Sequence, residues 1–247
     1  MRVKALPLFL LLAASSVFAQ PATRTILVIG DSHSAGTFGR QLYDSLWALP
    51  YTRVAFFAVC SSGPNSWLNE TEHGCGFMFR DLDKKAPEKW LRTRKATIKV
   101  RGEDREVTFV KTPLLSQLLE DYKPDVTLIA LGSNPTSADG VANMLAVVHH
   151  ARSACAWIGP PYMRSPPKAA VDGVYKNALV KSGVDHGLTM DETKQAGCSL
   201  IDSRGYSYLR YPESAGDGTH YEATPDLRDL AKQWAKDAAA DFARRLR

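Results

Sequence analysis

Short apolar runs alternate along the chain with longer stretches in which apolar residues recur at helical spacing. Short runs bounded by turn residues are typical of buried strands, and recurrence every three or four residues is typical of amphipathic helices. The strand-like runs are 25–29, 53–59, 126–131, 156–158 and 199–201. The helix-like stretches are 39–49, 112–122, 137–153, 167–183 and 224–247. Strands that alternate with helices in this way predict an α/β fold.

The alternation predicts a three-layer α/β/α sandwich, in which helices cover both faces of a five-stranded parallel sheet. We expect the doubly wound, flavodoxin-like strand order 2-1-3-4-5. Ligands of such sheets bind at the carboxyl ends of the strands. Polar residues that directly follow the strand-like runs are therefore the first candidates for a functional site.

The segment 84–111 falls outside this alternation and is rich in Lys and Arg. Two runs with period-two patterning, 96–100 and 106–110, flank a turn that contains Gly102. This pattern predicts a basic β-hairpin inserted into the α/β fold. The hairpin either overhangs the site or is a solvated surface excursion.

The N-terminus has the pattern of a secretory signal peptide. Two basic residues precede an apolar stretch, 5–12, and small residues follow it up to Ala19. This predicts a signal peptide over 1–19, cleaved after Ala19, and a single domain over 20–247 in a secreted or periplasmic protein. A membrane anchor is disfavoured because the apolar stretch is shorter than the ~20 residues that span a bilayer.

The net charge is mild. It is formally +5 and falls to +3 when Arg2 and Lys4 leave with the signal peptide. This balance does not indicate a nucleic-acid partner.

Four cysteines in an exported chain predict two disulfides. Of the three possible pairings, we favour Cys60–Cys75 and Cys155–Cys198. Cys60 ends a strand-like run and Cys75 lies in the loop that follows, whereas Cys155 and Cys198 each begin a strand-like run. No C-x-x-C pair is present, which disfavours a zinc site. The sequence indicates no cofactor.

Three residues are typical of nucleophilic catalysis. Ser32 directly follows the first strand-like run, and Asp217 precedes His220 by three residues near the C-terminus. A serine nucleophile, a histidine base and a carboxylate that orients the base are the minimum set for serine hydrolysis. Each residue also has an ordinary interpretation, because Ser is favoured at helix N-caps and the Asp–His pair would fit a surface loop. We expect Asp31 to brace its loop through backbone N–H groups.

Four short blocks occur in one order along the chain. They are Gly30-Asp31-Ser32-His33-Ser34, Gly63, Gly132-Ser133-Asn134 and Asp217-Gly218-Thr219-His220. Together they resemble the blocks of the SGNH hydrolase superfamily, the GDSL-type esterases. The resemblance implies a Ser32–His220–Asp217 triad and the strand order 2-1-3-4-5. It also implies an oxyanion hole made by the backbone N–H groups of Ser32 and Gly63 and the side-chain amide of Asn134.

Two residues depart from the family pattern. His33 stands where members commonly have a hydrophobic residue, and Pro135 stands where many have Asp. Both departures bear on substrate preference. His33 either lines the pocket or caps the following helix. Of the other histidines, His73 is a candidate for the rim of the site or for a metal ligand, and the adjacent pair at 149–150 is structural or exposed.

By resemblance, we expect a secreted or periplasmic esterase that cleaves short acyl esters, acetyl above all, on saccharides or cell-wall glycans. The expected partner is therefore a small-molecule or glycan acyl ester, with no stable membrane anchor. One alternative is O-acyl transfer to a sugar hydroxyl with the same triad, and another is hydrolysis of a lipid ester. A non-catalytic glycan-binding module is disfavoured because Ser32 and His220 are both present. The G-x-S-x-G elbow of α/β-hydrolases is absent, since Ser34 stands in place of its second Gly.

Overall fold

The computed structural model describes residues 22–100, 102–134, 137–161, 198–208, 211, 217 and 219–246. The predicted signal peptide over 1–19 and the predicted helix over 167–183 lie outside the described residues, as does Pro135. Within the described ranges, no helix has the length and apolar character needed to cross a membrane.

Nine strands and six α-helices make up the described fold. The strands are β1 (Arg24–Gly30), β2 (Thr52–Val59), β3 (Glu72–His73), β4 (Phe77–Arg80), β5 (Thr93–Val100), β6 (Glu103–Lys111), β7 (Val126–Ala130), β8 (Ala154–Ile158) and β9 (Cys198–Ile201). The helices are α1 (Ser32–Ala35), α2 (Thr37–Trp47), α3 (Pro64–Asn69), α4 (Leu115–Tyr122), α5 (Ala138–His150) and α6 (Pro225–Arg245). Short 3₁₀ turns lie at Glu88–Trp90 and Arg204–Tyr206.

The central sheet has the order β4-β2-β1-β7-β8-β9. The five strands from β2 to β9 in this order are parallel to their neighbours, which confirms the predicted order 2-1-3-4-5. The prediction of five strands was wrong by one, because β4 adds an antiparallel strand at the β2 edge. At four residues, with three apolar residues in succession, β4 lacks the alternation that would have revealed it.

The sheet is buried on both faces, which explains why its strands are continuously apolar rather than alternating. Ile26 and Val28 of β1 belong to the apolar core on the side of α2 and α6. Leu27 and Ile29 of the same strand belong to the core on the side of α4 and α5. Helices on both sides of a mainly parallel sheet confirm the predicted three-layer architecture.

The helix ends differ from the predicted bounds for local reasons. The helix predicted over 112–122 starts three residues later, at Leu115 of α4. Thr112 lies outside the helix, because its hydroxyl is buried and donates to the carbonyl of Ser66 at 2.7 Å. Helices α5 and α6 begin after Ser137 and Thr224, whose hydroxyls accept backbone N–H groups of the first turn. Helices α1 and α3 were not predicted, because four and six residues are too few to show a helical period.

The predicted hairpin is present as β5 and β6, paired antiparallel from Thr93 with Val110 to Val100 with Glu103. The short strand β3 pairs with β6 and makes a second, three-stranded sheet. Arg92 and Lys111 at the base of the hairpin both pair with Glu70, the C-cap of α3. The outer part of the hairpin is mostly exposed, which favours the solvated alternative.

Both disulfides occur in the favoured pairing. Cys155 and Cys198 are register partners on β8 and β9, with Cα atoms 4.4 Å apart. Cys60 and Cys75 join the turn after β2 to the loop before β4, with Cα atoms 5.7 Å apart. Two disulfides are compatible with a secreted or periplasmic protein.

Removal of the Cys155–Cys198 bond by Cys155→Ala with Cys198→Ala should lower the free energy of unfolding by about 2–4 kcal/mol. The bond closes a loop with a sequence separation of 43 residues, against 15 for Cys60–Cys75. The matched Cys60→Ala, Cys75→Ala protein should therefore lose less stability. Urea unfolding of the three non-reduced proteins measures this. Equal stability of all three would contradict the prediction.

Candidate active site

A buried carboxylate organises the end of β1. Asp31 is 2% exposed and is the N-cap of α1, where its Oδ1 accepts the backbone N–H of His33 at 3.1 Å. Its Oδ2 accepts the backbone N–H of Ser133 at 3.2 Å and also the Ser133 hydroxyl. Asp31 therefore braces its own loop, as expected, and also ties it to the loop after β7. The N-cap is Asp31 and not Ser32, which is the first residue of α1.

The three residues of the predicted triad lie in one chain of contacts. His220 Nε2 is 3.1 Å from the Ser32 hydroxyl, and His220 Nδ1 is 2.6 Å from Asp217 Oδ2. A carboxylate only accepts, so the proton of the neutral imidazole belongs on Nδ1. Nε2 is then free to accept the proton of Ser32. This is the tautomer that a general base for a serine nucleophile requires.

Asp217 is held by its own loop as well as by the imidazole. Its Oδ1 accepts the backbone N–H groups of Thr219 and His220, each at 2.8 Å. Partial burial raises the pKa of Asp217, but the hydrogen bonds from the His220 side chain and from the two backbone N–H groups outweigh it and hold that pKa below its ordinary value. With a folded pKa lower than the unfolded one, the carboxylate stabilises the loop above the unfolded pKa. This contribution is lost as the pH falls through the folded pKa.

The expected oxyanion donors are close to one another but are engaged within the protein. The Gly63 N–H donates to the Ser66 hydroxyl at 3.3 Å, at the N-terminus of α3. The Asn134 amide donates to the carbonyl of Ser62 at 3.0 Å. Ser32 lies in the first turn of α1, where backbone N–H groups have no acceptor within the helix. The structure thus brings Gly63 and Asn134 together at Ser62.

Among the other histidines that the structure describes, only His33 lies beside this cluster, and His186 lies outside the described residues. His73 is on β3, partnered with Val110, and burial lowers its pKa. His149 and His150 are exposed at the end of α5. Among the residues that the structure describes, no group of three or more His, Cys, Asp and Glu side chains is arranged for a metal ion. His33, by contrast, is buried directly beside the triad.

Two contributors to the site were not predicted from the sequence. The Ser62 hydroxyl is buried, donates to the carbonyl of Val59 at 2.7 Å and accepts the Trp67 indole N–H at 3.2 Å. It fixes the turn that leads into Gly63. Ser133 was noted only as part of the third block, although it provides both donors to Asp31 Oδ2. The sequence signal that could have found Ser133 was a small polar residue directly before Asn134 in the third block.

The fold has the strand order that the resemblance of the four blocks implied. The sheet has the order 2-1-3-4-5, and the Ser32, Gly63 and Asn134 blocks follow β1, β2 and β7, three neighbouring strands. Ser32 and His220 are in contact at the carboxyl ends of these strands.

Comparison with known proteins places the chain beside several solved structures. The native aryl esterase of M. smegmatis is 12% identical, with 88% of this chain and 99% of that chain covered and a TM-score of 0.47. A GDSL-like lipase from Bacteroides thetaiotaomicron is 12% identical, with 91% and 92% covered and a TM-score of 0.48. A DUF4886 family protein from Bacteroides uniformis is 14% identical, with 88% and 95% covered and a TM-score of 0.44. At these values the likeness concerns the fold alone and carries no argument about activity. No protein-family model matches the sequence, and no curated protein matches it significantly.

Gly39→Ala should destabilise the protein, because a Cβ at Gly39 would overlap the backbone carbonyl of Ser34 in α1. A backbone atom cannot move aside as a side chain can, so we expect a loss of about 1–3 kcal/mol in the free energy of unfolding. Gly76→Ala is the matched control, because a Cβ there meets no atom within 4 Å. Chemical denaturation of both variants measures the difference. A Gly39→Ala protein as stable as the control would show that Gly39 does not lie against the Ser34 carbonyl as described.

Proposed function

We propose that the protein is a serine esterase that cleaves short acyl esters through an acyl-enzyme on Ser32. The observation that supports this most directly is the contact chain of the site. Its distances are 3.1 Å from Ser32 Oγ to His220 Nε2 and 2.6 Å from His220 Nδ1 to Asp217. A serine hydroxyl is a weak nucleophile unless a neighbouring base accepts its proton, and His220 has the geometry and tautomer to do so.

In the first half-reaction, His220 Nε2 removes the Ser32 proton while Oγ attacks the ester carbonyl carbon. The carbonyl oxygen becomes an oxyanion, for which we propose Ser32 N–H, Gly63 N–H and the Asn134 amide as donors. Gly63 N–H would exchange its long contact with Ser66 for the oxyanion. The imidazolium then gives its proton to the leaving alcohol as the C–O bond breaks, which leaves Ser32 acylated.

In the second half-reaction, His220 removes a proton from water, and the hydroxide formed attacks the acyl carbon of acylated Ser32. Collapse of the second tetrahedral intermediate returns the proton to Ser32 and releases the carboxylic acid. Asp217 faces the imidazolium in both halves. Its lowered pKa keeps it ionised, so its charge stabilises the protonated His220.

We propose an acetyl or similarly short acyl ester on a saccharide or cell-wall glycan as the substrate. The side chains of His220 and Asp217 are 44% and 57% exposed, so the triad is open to a large alcohol portion rather than enclosed. An ester carried on a polymer would reach such a site directly. The basic hairpin beside α3 and the predicted export of the chain are compatible with an extracellular or periplasmic glycan.

Acyl transfer to a sugar hydroxyl is the second candidate, and the same exposure favours it. The exposed side chains of His220 and Asp217 leave room for a sugar hydroxyl to approach the acyl-enzyme. The chemistry then differs only in which hydroxyl His220 deprotonates in the second half-reaction. Product analysis in the presence of a sugar acceptor separates the two functions, since transfer gives an acylated sugar and hydrolysis gives the free acid.

Ser32→Ala should abolish turnover of p-nitrophenyl acetate, with a loss of at least about 10³-fold, while thermal stability stays near that of the wild type. Ser45→Ala, which removes a hydroxyl from α2 that bonds only Gln41 among the described contacts, is the control and should keep full activity. Initial rates on acetyl and longer acyl esters also give the acyl preference. Wild-type turnover in Ser32→Ala would exclude Ser32 as the nucleophile.

Asn134→Ala should lower kcat by about 10²–10³-fold with little change in KM, because an oxyanion donor acts on charge that develops in the transition state. Asn69→Ala is the matched control, since the Asn69 amide donates only within α3 to the carbonyl of Asn65 in the described structure. Steady-state kinetics of both variants measure the split between kcat and KM. An unchanged kcat would remove Asn134 from the oxyanion hole.

A further inference from the structure

His33 is a buried polar residue in contact with the catalytic loop. It follows Ser32 directly and is 5% exposed. Its ring lies edge-on to Tyr221 and Trp234, with centroids 5.6 Å from each, and its centroid is 5.9 Å from that of His220. Burial of an imidazole is costly unless its polar atoms are paired. The partners of His33 therefore indicate why a histidine lies here.

The His33 ring reaches across to the residue before His220. Its Nε2 is 2.8 Å from the carbonyl oxygen of Thr219. A carbonyl only accepts, so Nε2 carries the proton and donates. On the other side of the ring, Nδ1 is 3.8 Å from Asp31 Oδ1, too far for a strong hydrogen bond. The Thr219 contact is thus the main polar contact of the ring, and it joins α1 to the His220 loop.

A second contact joins the same two segments. Gly36, the N-cap of α2, has no side chain to cap the helix, and the Thr37 N–H donates instead to Glu222 Oε1 at 2.8 Å. A carboxylate at a helix N-terminus is also favoured by the helix dipole. A Cβ at Gly36 would overlap that same carboxylate oxygen, so Gly36 leaves the room that Glu222 occupies.

We propose that His33 and Glu222 are positioning residues that clamp the His220 loop onto the nucleophile segment. Their contacts fall one residue before and two residues after His220, so they fix its backbone on both sides. The His220 side chain is 44% exposed and is not held by burial, which leaves the clamp and Asp217 to set its approach to Ser32. A misplacement of about 1 Å at reacting groups can cost on the order of 10²-fold in rate.

The kinetic consequence of the clamp rests on the proposed function and is tested by two variants of one residue. His33→Leu has a similar size but no donor, and we expect kcat to fall by roughly 10–100-fold with KM unchanged. His33→Gln keeps an N–H donor and should recover most of kcat. Tyr206→Phe is the control, because among the described contacts it removes only a hydroxyl that donates to Asp237 on α6, outside the 219–222 segment. Its kcat should stay near that of the wild type.

A physical readout separates this proposal from the proposed function. In His33→Leu and in Glu222→Ala, the backbone amides of residues 219–222 should exchange with deuterium faster than in the wild type, whether or not the protein cleaves esters. Faster exchange in folded variants supports the clamp even if Ser32-dependent turnover is absent. Wild-type exchange in both variants would overturn it. The proposal would also be overturned if His33→Leu kept the kcat of the wild type. The same holds if His33→Gln lost as much kcat as His33→Leu.

Discussion

The site depends on one buried carboxylate, Asp31, between two loops that are far apart in sequence. An ionised carboxylate removed from water is stable only when hydrogen-bond donors replace the water. Here the donors are the His33 N–H from its own helix and the N–H and hydroxyl of Ser133, 102 residues away. These hydrogen bonds to Asp31 therefore hold the start of α1, and with it Ser32, at a fixed place beside the loop that carries Asn134.

The parallel sheet makes this arrangement possible. Strand β1 lies between β2 and β7, so the loops that follow all three strands emerge side by side. In an open α/β sheet the crevice forms where the order of strands reverses, which is at β1 in this chain. The nucleophile and all three proposed oxyanion donors come from these loops. His220 and Asp217 come from the segment before α6, which the sheet itself does not position.

Much of this organisation follows from local sequence, and the remainder depends on distant contacts. The parallel strands were predicted because both faces of the sheet are covered and their residues are continuously apolar. Strand β4 and helices α1 and α3 were missed because they are too short to show a period. The Gly63 N–H was expected in the oxyanion hole, yet it contacts the Ser66 hydroxyl, a local capping contact that the motif does not reveal. The His33–Thr219 bond joins residues 186 positions apart, so no local pattern could have predicted it.

The central claim is that Ser32 is an activated nucleophile, and reaction with an alkyl fluorophosphonate tests it most directly. The probe phosphonylates a serine whose proton is removed by a neighbouring base. Intact mass and peptide mapping of the folded wild-type protein should show a single adduct, on Ser32. An adduct on another serine, or a folded protein that stays unmodified while a known serine hydrolase in the same tube is labelled, would contradict the account.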